Sequence, residues 1–256
     1  MGNSTTMKRK VKGSKTSKKQ KYVYFFGQGR AEGNAMMKDL LGGKGANLAE
    51  MTHLGIPVPP GFTLTTQACS LFYEKGETWA GGLEEEIKAN LAKLEEAMDL
   101  GFGDRNNPLL VSVRSGAAVS MPGMMDTVLN LGLNSDVVQG MILKTENERF
   151  SWDAYRRFIQ MFSNVVMGVR HEVFEHILDK KKKQVHAELD TQLNANDLKD
   201  IVRQYKLAHR EETGEEFPQD PYLQLTKAIN AVFKSWNNPR AIKYRELHEI
   251  RGLLGT

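Results

Sequence analysis

Leu109-Leu110-Val111-Ser112-Val113-Arg114-Ser115-Gly116 is an apolar, β-branched run that stops abruptly at an arginine followed by two small residues. Pro108 disfavours helix at its start, and the composition predicts a buried strand over residues 109–113. In α/β folds ligands gather at strand ends. Arg114 at such an end can grip a phosphate with two parallel hydrogen bonds, which a lysine cannot. Ser115 and Gly116 would let backbone N–H groups approach the same anion. The competing reading is a structural arginine paired with a nearby acid.

Working outward, Tyr22-Val23-Tyr24-Phe25-Phe26 reads as a second strand, broken by Gly27-Gln28-Gly29. The string from Gly27 to Gly33 has one residue too many for a dinucleotide fingerprint, and no clear helix follows it. Met36 to Leu41 is an apolar connector, and residues 46–54 form a helix stopped by Gly55. Pro57, Pro59 and Pro60 exclude helix ahead of a strand at residues 62–65. Thr66 is placed to cap a helix running to about Tyr73. Leu83, Ile87, Leu91, Leu94 and Met98 recur at spacings of three and four, which is one apolar stripe on a helix. From about Ser135 glycine and proline become scarce and helical periods dominate. Tyr155, Phe158, Ile159, Phe162, Val165 and Val166 make one wide apolar face. Asn196 is placed to cap a helix through Ala208, Phe217 to Pro221 marks a boundary, and a last helix opens at Pro239 and ends near Gly252. The lysine run at residues 180–183 is expected to solvate a helix end. The organisation expected is an α/β segment over 22–133, a helical insert over 134–219 and a helical return over 220–256.

Of the 256 residues, 40% are hydrophobic and 26% charged, enough apolar material for a sizeable core. No apolar run approaches the roughly 20 residues of a membrane-spanning helix, so no membrane partner is expected. The single cysteine, Cys69, excludes an intramolecular disulfide and any zinc site needing two cysteines. The six histidines show no metal-ligand spacing. The net charge of +4 is carried by a tail: residues 1–21 hold eight basic and no acidic side chains, leaving −4 for the rest. A nucleic-acid-binding body, whose basic groups should cluster on the folded part, is therefore disfavoured. The tail is too polar to offset chain entropy and is expected to be a disordered basic leader, with an organellar transit role as an alternative to a cytoplasmic location.

Two further segments carry candidate chemistry. In Gly42-Gly43-Lys44-Gly45, glycines flank a lysine where a helix begins. It is not a Walker loop, since Gly45 stands where Ser or Thr would bind the metal. Unpaired N–H groups and the helix dipole nonetheless attract an anion, and Lys44 adds a mobile charge. The alternative is a turn whose lysine faces water. Met121-Pro122-Gly123-Met124-Met125-Asp126-Thr127 packs three methionines, a proline and a glycine into five residues. It makes no regular element and suits a loop closing on a ligand through soft apolar contacts. An irregular core loop is the other reading.

These motifs, with Gly55-Ile56-Pro57-Val58-Pro59-Pro60-Gly61-Phe62 and Val128-Leu129-Asn130-Leu131-Gly132, together resemble the N-terminal nucleotide-binding domain of the pyruvate, phosphate dikinases. The similarity runs from about residue 22 to the end. The first three motifs are shared in looser form with phosphoenolpyruvate synthases, and the methionine segment singles out the phosphate-using enzymes. The resemblance implies an ATP-grasp-type fold, incomplete here, holding the first half of an ATP clamp with the helical insert. In that family ATP and phosphate leave a phosphohistidine on the protein, AMP and pyrophosphate depart, and pyruvate becomes phosphoenolpyruvate: a phosphotransferase reaction. Carried over by motif, Lys44 and Arg114 stabilise the phosphates, and Ser115 with Gly123, Met124, Met125, Asp126 and Thr127 completes the ATP site. Magnesium is implied as cofactor, its ligands mainly in a segment without counterpart here. The phosphohistidine and pyruvate-binding domains are implied partners, in a homo-oligomer when complete. The chain is thus expected to be a fragment that binds ATP weakly and makes no phosphoenolpyruvate alone. A related synthase, or a non-catalytic nucleotide-binding remnant, is the alternative.

Overall fold

A computed structural model describes residues 20–250. The basic tail through residue 19, and the expected stop near Gly252, lie outside the described residues. At the tail's end Lys21 pairs with Glu32 at 3.0 Å.

The fold mixes helices with three small sheets. Strand β1 (Val23–Gly27) turns into β2 (Arg30–Ala31), and a short 3-10 turn leads into helix α1 (Lys38–His53). Strand β3 (Gly61–Leu64) returns antiparallel to β1, giving the order β2-β1-β3. Helices α2 (Thr66–Glu74) and α3 (Leu83–Met98) follow. Next, β4 (Gly101–Phe102) and β5 (Pro108–Leu109) pair in parallel, and β6 (Val111–Arg114) pairs antiparallel with β7 (Thr127–Leu131). The remaining described elements are helical: α4 (Ser135–Thr145), α5 (Glu148–Val165), α6 (His171–Gln184), α7 (Ala195–Thr213), α8 (Pro221–Ser235) and α9 (Pro239–Leu247).

Several local expectations are corrected. The connector before the glycine run is itself helical: α1 begins at Lys38 and breaks at Gly42, whose φ of 67° only glycine adopts without strain. Thr65, not Thr66, caps α2, accepting from the Ala68 N–H, while the Thr66 hydroxyl donates to the Asp39 carbonyl on α1. Asn194, not Asn196, caps α7, because Asp197 reaches back to the Asn194 N–H and closes a reciprocal box. The strand near Leu109 splits into β5 and β6. The second piece is only half-buried, with Ser112 and Arg114 exposed, because one face borders a cleft. Thr127, expected at the end of an irregular loop, opens strand β7, which runs to Leu131. The lysine run does not simply solvate a helix end: Lys181 is buried against Asp200 at 2.7 Å, and Lys182 pairs with Asp179 and Asp190. Hydrogen bonds from Lys181 and Arg203 hold the Asp200 carboxyl down to about 2.

One hydrophobic cluster runs from Val23 and Phe72 through Val128 and Leu131 to Phe162, Tyr205 and Phe233. Helix α8 closes it by packing on β6 and β7. Gln224 of α8 is fully buried yet satisfied: its side chain accepts from the Gly132 N–H and donates to the Leu133 and Pro218 carbonyls.

His209 on α7 carries a consequence for pH. It is fully buried, its Nδ1 lies 2.8 Å from the Ser163 hydroxyl, and its Nε2 has no hydrogen-bond partner. Burial, then the nearby Lys227 charge, pushes its pKa below the ordinary histidine range. The unfolded chain, with histidine near 6.5, takes up a proton that the folded chain refuses. Stability is therefore complete above about pH 6.5 and falls below it, by up to about 1.4 kcal/mol per pH unit. Thermal midpoints between pH 8 and 5.5 should show this slope, and His209→Gln should flatten it.

Candidate functional site

The site is built where the glycine segment meets the strand tip. After the break at Gly42 the helix restarts, which puts Lys44 in its first turn. Helix α1 lies close on β3 there: a Cβ on Gly45 would come within 2.7 Å of the Thr63 side chain. Only a glycine permits this approach, and it fixes the depth at which the neighbouring lysine emerges.

Two hydrogen bonds weld this segment to the end of β6. The Gly43 N–H donates to the Ala117 carbonyl at 2.8 Å, and the Lys44 ammonium donates to the Ser115 carbonyl at 2.9 Å. The first has a cost for the sequence reading, since the Gly43 N–H is already used. Lys44 and Arg114 open into one cleft of about 570 Å³, and Ser115 and Gly116 border it too. Its far walls are apolar, from Phe26 and Pro60 to Leu94 and Met98 on α3 and Ile229 and Phe233 on α8.

The Arg114 side chain is exposed and, among the described residues, has no ion-pair or hydrogen-bond partner. The structural alternative, an arginine neutralised by a neighbouring acid, therefore finds no support among the described residues. A guanidinium held at a strand tip without an acid is chemically able to receive an anion, and Lys44 lines the same cleft. The cleft thus combines an apolar interior with a cationic rim, suited to a ligand with a flat ring and an anionic tail.

The methionine segment sits elsewhere. Thr127 stands opposite Arg114 in the β6–β7 ladder. None of Gly123, Met124, Met125, Asp126 and Thr127 lines the cleft. Met124 and Met125 pack instead with Ala117, Met121 and Trp236, and Asp126 binds groups on and between α8 and α9. Among the described residues no group of three or more His, Cys, Asp or Glu side chains is placed to hold a metal, and no helix is long and apolar enough to cross a membrane.

The sequence matches the family described as "Pyruvate phosphate dikinase, AMP/ATP-binding domain" over residues 38–100 and 78–252. The chain belongs to this family. Among dikinases, it is 57% identical over 241 residues to the chloroplastic pyruvate, phosphate dikinase of Mesembryanthemum crystallinum, covering 94% of this chain and 25% of that protein. It is 54% identical over 236 residues to the pyruvate, phosphate dikinase of Rhizobium meliloti (strain 1021), covering 92% and 26%. The chloroplastic dikinase 1 of Oryza sativa subsp. japonica is 55% identical over 237 residues, covering 93% and 25%. The chain therefore spans about a quarter of the length of these dikinases.

A second, polar opening of about 700 Å³ in this dikinase domain lies among α5, α6 and the turn at residues 190–192. Sequence reading gave no sign of it, because its buried Arg156 is matched by two acids far apart in the chain, Asp153 at 2.8 Å and Asp190 at 3.4 Å. The Asp153–Arg156 half has helical i,i+3 spacing, but no periodicity marks the Asp190 half. The apolar walls of the first cleft were missed for a related reason: Ile229 and Phe233 carry only the ordinary signature of a helix stripe.

Proposed function

We propose that the chain binds ATP in the Lys44–Arg114 cleft and serves a pyruvate, phosphate dikinase reaction as the nucleotide-binding part of a longer protein. One observation carries the reading: an exposed, unpaired arginine and a lysine tied to the adjacent residue's carbonyl share the rim of an apolar cleft. The adenine ring would take the apolar interior, and the phosphates would meet the two cations. Phosphoryl transfer is mostly positioning and charge neutralisation, which these groups supply.

In this proposal the fold is the first half of an ATP-grasp clamp, with residues 22–133 and 220–256 as the nucleotide-binding part and 134–219 as a helical insert. Ser115 and the segment Gly123 to Thr127 complete the ATP site on closure. ATP and phosphate would leave a phosphohistidine on a separate domain and release AMP and pyrophosphate, and the phosphoryl group would pass to pyruvate. Magnesium finds no carboxylate set in the cleft among the described residues. What this chain offers the phosphates is the Lys44 ammonium and the Arg114 guanidinium.

Titration calorimetry with ATP tests the binding step. Lys44→Ala should weaken it about tenfold, the loss of one charge-assisted contact. Lys44→Ala also loses the hydrogen bond to the Ser115 carbonyl, about 1 kcal/mol, so the thermal midpoint should fall by no more than about 4 °C. Equal affinity in wild type and Lys44→Ala would remove this lysine from the site. Phosphate-dependent AMP formation by a full-length protein carrying this domain tests the reaction.

A further inference from the structure

Met121 to Met125 carry no strong side-chain donor or acceptor, and Ser120 makes no side-chain hydrogen bond among the described residues. The segment's anchor is the next residue. The Asp126 N–H donates to the Ser235 hydroxyl at 3.2 Å. One carboxylate oxygen accepts from Asn238 Nδ2 at 3.1 Å, and the other from Arg240 Nη2 at 2.8 Å. The apolar half of the contact is Met121, Met124 and Met125 against Trp236 and Tyr244. Trp236 is 4% exposed, and the Arg245 guanidinium stacks 4.2 Å from its ring centroid.

The division of labour is informative. Methionines grip through soft, interchangeable contacts that a loop can leave and remake. The directional hold is concentrated on one carboxylate, and its main partner Arg240 is 59% exposed, where an ion pair is weak and reversible.

We propose that Arg240 and Asn238 are positioning residues that act through Asp126 to latch the methionine segment on the α8–α9 corner, clear of the cleft. Releasing the latch frees the segment to close over bound nucleotide. This rests on the ATP reading above. A latched population lowers apparent affinity in proportion to the fraction unavailable for closure.

The test uses the full chain with Arg240→Ala, and the charge swap Asp126→Arg with Arg240→Asp. Without nucleotide, acrylamide quenching of Trp236, isolated by subtracting a Trp236→Phe control, should rise at least about twofold in Arg240→Ala and return toward wild type in the swap, as expected if one exposed ion pair holds the segment. Apparent ATP affinity should tighten up to about fivefold in Arg240→Ala. Unchanged quenching overturns the latch. Increased quenching with unchanged or weakened ATP binding overturns its role at the cleft. Failure of wild type to bind ATP sinks the nucleotide reading instead, while the quenching result still decides whether the latch exists.

Discussion

Arg114→Ala should lower ATP affinity about a hundredfold while leaving the thermal midpoint within about 2 °C of wild type. Both halves follow from the same position. Arg114 ends β6, and its exposed guanidinium has no partner among the described residues, so removing it leaves no buried acid uncompensated. Exposed substitutions of this kind stay within about 0.5 kcal/mol. For a phosphate the position is costly to lose. A bidentate guanidinium makes two charge-assisted hydrogen bonds, together about 3 kcal/mol, which is about a hundredfold in affinity. Arg114→Lys keeps the charge but not the fork and should recover about half of the loss in free energy. Titration calorimetry at fixed ionic strength would measure all three proteins. Wild-type affinity in Arg114→Ala would exclude the strand tip from the phosphate site.

The largest effect on stability is expected at Phe217. This residue lies between α7 and α8, yet it is 3% exposed. Its ring stands edge-on to those of Tyr155, Phe158 and Phe162, at centroid distances of 6.3, 5.8 and 5.5 Å, and 5.3 Å from His209. Such edge-to-face pairs add to the burial energy. Phe217→Ala would empty the centre of this cluster, and surrounding helices held by many other contacts cannot collapse into the space. A loss of about 3–5 kcal/mol is expected, a large part of a typical domain's stability. In a chain of this size that lowers the thermal midpoint by about 10 °C. Phe217→Leu, which refills part of the volume, should cost much less. The cleft residues are not touched, so ATP affinity measured well below the transition should be retained. A midpoint within 2 °C of wild type would show that the cluster tolerates the void.

The two predictions divide along the line between what was legible and what was not. Arg114 could be picked out because a buried-looking strand ending in an arginine is a local pattern. Phe217 belongs to a proline-marked boundary in the sequence, which describes the backbone there but not the side chain. The 3.6-residue stripes of α3, α5 and α7 and the extended runs of β1 and β3 were likewise legible, since each depends on neighbours within a few residues. The two shifted caps have different reasons: the Thr66 hydroxyl is drawn to Asp39 on another helix, whereas the Asn194–Asp197 box is local and was open to a sequence reading.

The chain's sequence by itself determined strands β1 and β3, most of the helices, and the motifs that mark it as a dikinase nucleotide-binding domain. Only the tertiary structure decided that Lys44 reaches the Ser115 carbonyl across 71 residues, and that Asp126 is held by Arg240 across 114. Local propensity acts over a turn or two of backbone. Which cations share a cleft, and where a loop comes to rest, depends on how the returning helices α8 and α9 pack against strands laid down a hundred residues earlier, and no local pattern encodes that distance.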